Sequence, residues 1–215
     1  MNEARRPRVL LADDHRIVAE GLRSLLEEEF ELAGIVEDGR AMVKAARELR
    51  PDVIVADISM PLLNGIDALA QLRQHDPTVR VVFLTMHRDV AYARRAIEAG
   101  AAGFVLKHSA TAELVLAVRA ALQGRTFVTP DLAAELMQAA KPGSPQAPDP
   151  VAALTPRQRE ILQLLAEGKS AKEIAAVLSL SARTVEDHKY RLMEQLHIVN
   201  SAELIHFAIK HGLVP

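Results

Sequence analysis

The chain predicts an α/β domain built on a doubly wound parallel sheet, joined to a second, all-helical domain. Three observations carry that expectation. Short apolar runs alternate with helix-period stripes from the N-terminus to about residue 124, a proline-dense stretch then interrupts every regular pattern, and beyond it only the helical period continues.

The apolar runs are Val9 to Ala12, Val53 to Ala56, Val81 to Leu84 and Phe104 to Leu106, with Glu31 to Val36 as a less uniformly apolar fifth. Runs this short and this apolar suit strands buried on both faces, the habit of parallel sheets. Between and after them, Arg16 to Glu29, Arg40 to Leu49, Ile66 to His75, Val90 to Ala99 and Ala112 to Gln123 carry apolar residues at helical spacing. Gly100 and Gly124 follow helices where a left-handed cap fits. Fivefold alternation of strand and helix implies right-handed crossovers. Thr129-Pro130 then opens a further helix, with proline at its first position.

Lys141 to Pro150 holds four prolines and a glycine in ten residues, too dense for a helix or a central strand. It reads as a semi-rigid linker. The domain limits that follow are 6–124 for the sheet domain, 125–153 for a helix plus the linker, and 154–215 for the helical domain.

A length of 215 residues suits two domains. With 49% hydrophobic residues but only 3% aromatic and no Trp, the cores must be aliphatic. The absence of cysteine excludes disulfides and thiolate metal sites. No apolar run approaches the roughly 20 residues needed to cross a bilayer. The polar start, Met1 to Arg8, does not read as a signal peptide. A soluble, cytoplasmic protein with no membrane partner is expected. Net charge is −2 overall, while the part from Val151 onward has 8 Lys and Arg against 7 Asp and Glu, with four His besides. That bias permits nucleic-acid binding without arguing for it.

In an open parallel sheet, chemistry gathers at the carboxyl ends of the strands. Asp13 and Asp14 follow the first strand, Asp57 follows the third, Thr85 closes the fourth and Lys107 follows the fifth. Taken singly, each has a plain reading: a helix cap, a strand-closing aspartate, a turn residue, a solvated lysine. Together they bring three carboxylates, a hydroxyl and an ammonium to one edge. Such a set can hold a divalent cation, accept a phosphoryl group and neutralise it.

Residues 8 to about 124 resemble the receiver domain of two-component response regulators, and Asp57-Ile58-Ser59-Met60-Pro61-Leu62-Leu63-Asn64-Gly65 resembles its phosphoacceptor segment. The resemblance implies a flavodoxin-like five-stranded sheet in the order 2-1-3-4-5. It implies Asp57 as the nucleophile that forms an aspartyl phosphate. Asp13, Asp14, Asp57 and the Ser59 backbone carbonyl would bind Mg²⁺. Lys107 and Thr85 would take the phosphoryl oxygens, and Phe104 would be a switch aromatic filling space that Thr85 vacates. Two positions stand out. His108 follows Lys107 where the family often has a proline, and His87 lies where side chains can overhang the phosphate.

In the C-terminal part, Thr155-Pro156 reads as an N-cap and first helical residue, and Ile161, Leu162, Leu164 and Leu165 as the apolar side of that helix, which Gly168 ends. Ser170 caps a short helix from Ala171 to Leu178, and Leu180-Ser181 turns into a longer one from Ala182 to Leu196. Ala202 to Lys210 completes four helices. Two short helices with a tight turn form a helix-turn-helix unit, whose second member enters a major groove. A small bundle for protein contacts fits the spacing equally well. The wording is more specific: residues 154 to 213 resemble the LuxR-type DNA-binding domain of NarL/FixJ response regulators, on Leu154-Thr155-Pro156-Arg157, Glu167-Gly168-Lys169-Ser170, Lys172-Glu173-Ile174-Ala175, Leu180-Ser181 and Arg183 to His188. Gln158 stands where the family has Glu, and Glu186 where it often has Lys.

Arg183, Thr184, Asp187, His188 and Arg191 fall on roughly one helical face. Lys169, Lys172, Arg183, Lys189 and Arg191 would supply positive charge to phosphates, Thr184 and His188 would suit phosphate oxygens, and Glu186 and Asp187 sit where family members read bases. The resemblance also implies a partner histidine kinase, promoter DNA as ligand, and a homodimer on phosphorylation, with the last helix at the dimer contact. Two other classes remain open. A phosphatase working through an aspartyl phosphate commonly has a second Asp two residues after the nucleophile, where Ser59 stands here. An interaction protein would use its helical half as the contact.

Overall fold

The computed structural model describes residues 5–86, 90–139 and 150–214. The elements run β1 (Arg8–Ala12), α1 (Arg16–Glu27), β2 (Glu31–Val36), α2 (Gly39–Leu49), β3 (Val53–Ala56), α3 (Gly65–His75), β4 (Val81–Thr85), α4 (Val90–Glu98), β5 (Gly103–Leu106), α5 (Ala110–Leu122), β6 (Phe127–Val128) and α6 (Pro130–Ala139). Four helices follow: α7 (Pro156–Ala166), α8 (Ala171–Leu178), α9 (Ala182–Gln195) and α10 (Ser201–Lys210). His87 and nearly all of the expected linker lie outside the described residues.

The sheet is parallel throughout, in the order β2-β1-β3-β4-β5-β6. The five-stranded order expected from the sequence is present, and a sixth strand extends it. That strand is two residues long, pairing Gly103 with Phe127 and Phe104 with Val128. It has no run long enough to show a period. Its register is held from the side instead: Thr129 donates its N–H to the Phe104 carbonyl, and its hydroxyl accepts from Leu106 N at 3.2 Å.

The strands are buried on both faces because helices cover both. One core sets Leu10, Ile54, Phe83 and Phe104 against α2, α3 and α4, with Leu132 of α6 closing its end. The other sets Val9, Val55, Val82 and Val105 against α1 and α5. Alternate residues of one strand therefore feed different cores, which is why every position of β3, β4 and β5 is buried and, apart from Thr85, apolar. Gly100 and Gly124 take the left-handed conformation expected of them, at φ 90° and 71°.

The helical unit has its own core of Leu154, Ile161, Leu164, Ile174, Leu178, Val185, Leu192 and Leu204. Val151 belongs to that core too, so the unit begins packing three residues before the expected limit. Thr155 and Gln158 form a capping box on α7, Gln158 Oε1 accepting from Thr155 N at 2.8 Å. The glutamine thus does the capping work of the family's glutamate, and its Nε2 donates to Gln195 at the end of α9, which a carboxylate cannot do. Ser170 with Glu173 caps α8 in the same way, and Ser181 caps α9.

Candidate functional site

Parallel pairing aligns the strand ends, so the residues that follow β1 and β3 converge with the residue after β5. The Lys107 ammonium lies 2.6 Å from Asp57 Oδ2 and 2.8 Å from Asp13 Oδ2. Asp57 Oδ1 accepts from the Ile58 N–H at 2.6 Å and the Ser59 N–H at 3.3 Å. Asp13 Oδ1 accepts from His15 N at 2.9 Å, and the His15 ring nitrogen Nδ1 stands 2.9 Å from Asp14 Oδ1. Ligand atoms of Asp13, Asp14, His15 and Asp57 all lie within 4.8 Å of one another.

Two of these oxygens are incompletely satisfied. Asp13 Oδ2 and Asp14 Oδ1 are shielded from solvent and accept no well-aligned hydrogen bond. Lys107 approaches Asp13 Oδ2 at 2.8 Å as an ion pair. Burial is the largest influence on Asp57 and pushes its carboxyl above the usual range; Lys107 pulls it back without cancelling the rise, and the Asp13 charge adds to it. Burial alone would lower the Lys107 ammonium, but Asp57 and Asp13 together outweigh that and hold it above the ordinary lysine value. An acidic pocket of hard oxygen donors with buried, unsatisfied lone pairs fits a divalent cation of the magnesium type.

The other expected site residues fall as follows. Ser59 is buried, two residues beyond Asp57. Thr85 closes β4, fully buried, between the ends of β3 and β5. Phe104 is also 0% exposed, in the core cluster that includes Leu132 of α6. After Lys107 the chain enters a short 3-10 turn, Lys107–Ser109, in place of the family's proline. Gly65 is required by space: a Cβ there would lie 2.4 Å from the Asp57 carbonyl oxygen.

On α9, Arg183, Asp187 and Arg191 are exposed along one face, spaced by four residues. Thr184 is engaged locally, its N–H and hydroxyl both meeting Ser181 Oγ. Lys189 is half-buried, with Nζ 3.6 Å from Glu186, so the acid that replaces the family's basic residue neutralises the lysine one turn on. Lys172 is exposed, Lys169 sits 3.8 Å from Glu167, and His188 is partly covered. Tyr190, an exposed aromatic on α9, escaped the sequence reading, which followed charge rather than stacking surface.

A second feature also escaped it. The helical unit docks on the sheet domain through α7. Gln163, 0% exposed, donates from Nε2 to the Met60 carbonyl at 2.9 Å and accepts the Asn64 N–H at 2.8 Å. Glu167 accepts the Leu62 N–H at 2.9 Å, Arg159 binds Asp67 at 2.7 Å, and Gln71 donates to Glu160 at 2.5 Å. Arg159, Gln163 and Glu167 are spaced i, i+4, i+8, a polar stripe that in a sequence looks like a solvated face.

A phosphate-type site at the edge of a parallel sheet, with a helix-turn-helix unit docked beside it, defines a two-domain signalling regulator. Comparison with known proteins agrees and narrows the class. Residues 9–119 match the response regulator receiver domain, and residues 152–208 match the bacterial regulatory proteins of the luxR family. The chain belongs to the two-component response regulators that join a receiver to a LuxR-type DNA-binding domain. It is 38% identical over 217 residues to the transcriptional regulatory protein MctR of Rhizobium johnstonii, covering 100% of this chain and 98% of that one. It is 34% identical over 210 residues to the response regulator GacA of Pseudomonas aeruginosa, covering 96% and 97%. Among solved structures it resembles the RcsB response regulator of Salmonella typhimurium (TM-score 0.66, 28% identity, 97% and 99% covered). It also resembles RcsB in an RcsB–DNA complex (TM-score 0.58, 30% identity, 94% and 97% covered).

Proposed function

We propose that Asp57 accepts a phosphoryl group from a partner histidine kinase and that this event controls dimerisation and sequence-specific promoter binding by the helical unit. The observation that carries the reading is the meeting of Asp13, Asp14, Asp57 and Lys107 in one buried pocket. In the transfer, a carboxylate oxygen of Asp57 attacks phosphorus, the P–N bond to the kinase histidine breaks, and its electron pair stays on the ring nitrogen. Lys107 would neutralise the incoming oxygens, and the Thr85 hydroxyl would bond one of them. Asp13, Asp14, Asp57 and the Ser59 carbonyl would hold Mg²⁺, which offsets charge on the transferring group when bound. The added group brings about two negative charges to a pocket whose lysine is already engaged.

For the DNA face, Arg183, Asp187 and Arg191 form the exposed reading stripe, with Lys169, Lys172 and Lys189 toward phosphates and Thr184, Glu186 and His188 beside them. The RcsB–DNA complex and the structure of two RcsB dimers bound to two parallel DNAs support DNA binding by a dimer. No helix among the described residues is long and apolar enough to cross a membrane.

Asp57→Asn tests the acceptor. Incubated with phosphohistidine kinase or acetyl phosphate and Mg²⁺, the wild type should gain one phosphoryl group by intact mass and the variant none. An equal gain in the variant would remove Asp57 from the role.

A further inference from the structure

Phosphoryl transfer to Asp57 gives no work to the ring of His15. Asp13, Asp14 and His15 fill the turn between the end of β1 and the start of α1. His15 is the N-cap of α1, at φ −92° and ψ 94°, yet its side chain makes no cap bond. By contrast, α2, α3, α7, α8, α9 and α10 are each capped by an Asp, Asn, Thr or Ser side chain on a backbone N–H. Those residues cap because a short side-chain oxygen reaches the first-turn donors. The His15 ring is not spent in that way. It turns to the carboxylates.

Its nitrogen Nδ1 stands 2.9 Å from Asp14 Oδ1 and 3.5 Å from Asp13 Oδ1. An octahedral cation with bonds of about 2.1 Å keeps adjacent ligand atoms about 3 Å apart. The ring nitrogen thus lies close to one such edge from each carboxylate. Asp57 offers an oxygen to the same cluster, all of whose ligand atoms fall within 4.8 Å of one another. Asp14 Oδ1 is shielded from solvent and has no hydrogen-bond partner. A buried lone pair left in that way, beside a ring nitrogen, is what a shared ion would satisfy. The spacing is also tethered, since the His15 backbone N–H donates to Asp13 Oδ1 at 2.9 Å. Lys107 closes the far side on the Oδ2 atoms of Asp13 and Asp57, while the His15 side chain is 60% exposed and lies at the mouth.

We propose that His15 Nδ1 is a ligand of the cation pocket and tilts its selectivity from Mg²⁺ toward first-row transition cations such as Mn²⁺. The inference rests on the reading of Asp13, Asp14 and Asp57 as cation ligands. Magnesium takes hard oxygen ligands and gives up its waters reluctantly, so an added imidazole brings it little. Transition cations accept imidazole nitrogen readily, with affinity rising along the row from manganese. A neutral ring adds no charge. The discrimination therefore comes from the donor atom, while the carboxylates supply the attraction common to both metals. His15 is in this sense a specificity-determining residue of the pocket.

The test uses the full chain, stripped of metal and titrated with Mn²⁺ alone. Electron paramagnetic resonance of the free ion gives the Mn²⁺ affinity, and competition with it gives that of Mg²⁺. Pulsed resonance on the loaded protein reads the bound atoms directly. Wild type should show nitrogen hyperfine coupling to Mn²⁺. His15→Ala and His15→Ser should both lose it, the serine variant keeping a good cap on α1 so that the helix start is preserved. In both, Mn²⁺ affinity should fall by about tenfold or more, the scale of losses around metal sites, with Mg²⁺ affinity nearly unchanged. Wild type without nitrogen coupling, or variants that lose both metals equally or neither, would overturn the proposal and leave His15 a mere partner of Asp14. If neither metal binds wild type, or both bind Asp57→Asn as tightly as wild type, the cation reading itself fails and the inference falls with it.

Discussion

Lys107 and Asp57 are each 7% exposed and meet at 2.6 Å, a buried ion pair with a second carboxylate, Asp13, on the same ammonium. Buried pairs of this kind seldom repay their desolvation in stability. Their place at the sheet edge, with unsatisfied Asp13 and Asp14 oxygens beside them, argues that they are kept for chemistry.

That view sets the sign of the first prediction. Burial raises the Asp57 carboxyl above its ordinary value of 3.8, with Lys107 opposing and Asp13 adding. A carboxyl raised on folding contributes stability below its unfolded value and loses it as pH rises through the folded value. At neutral pH the charged Asp57 works against the fold. Asp57→Asn should therefore raise Tm in EDTA-containing buffer at neutral pH, and its advantage should shrink as the buffer is made acid. Added Mg²⁺ should stabilise wild type more than the variant. A Tm lowered by the substitution at neutral pH would contradict this.

Gly65 tests the tightness of the acceptor loop. A methyl group there meets the Asp57 carbonyl oxygen at 2.4 Å and Phe83 Cε1 at 2.8 Å, so backbone must shift. Gly65→Ala should cost about 1–3 kcal/mol in chemical denaturation and should slow phosphorylation by acetyl phosphate. Wild-type values for both would show that the loop yields more easily than its contacts suggest.

On the DNA side, Glu186 holds Lys189 at 3.6 Å. Glu186→Gln should release that lysine toward phosphate, tighten binding to duplex DNA and steepen the slope of log affinity against log salt by about 0.9. Lys189→Ala should do the reverse. If both variants keep the wild-type slope, Lys189 makes no phosphate contact.

The fold was legible where hydrophobic period was strong. Val53 to Ala56 and Val81 to Thr85 gave strands to the residue because both faces are buried and nothing polar interrupts them. β6 was not legible, since two residues carry no period and its register comes from Thr129. The acidic pocket was legible because parallel topology forces strand ends together. The α7 contact was not. Gln163, Glu167 and Arg159 are polar residues that satisfy backbone and carboxylate groups of another domain, and a sequence cannot tell such a stripe from one facing water. Phe104 is fully buried in the core cluster that also takes in Leu132 of α6, and the docking of α6 has no local signal.

The cap of α8 supplies a pH-dependent check on the helical unit. Ser170 holds the exposed Glu173 carboxyl below its usual value through its hydroxyl and its N–H. A lowered carboxyl contributes stability above its unfolded value and loses it as pH falls through the folded one. Ser170→Ala should cost the helical unit about 1 kcal/mol at neutral pH and should weaken the acid dependence of its unfolding. An unchanged midpoint at neutral pH would show the cap to be dispensable.

The central claim is that the state of Asp57 is felt by the DNA-reading helix. Affinity for promoter DNA, measured by fluorescence anisotropy for wild type and Asp57→Asn with and without acetyl phosphate and Mg²⁺, tests it most directly. Wild type should bind more tightly on phosphorylation while Asp57→Asn stays fixed; equal affinity of phosphorylated and unphosphorylated wild type, or the same gain in both proteins, would contradict it.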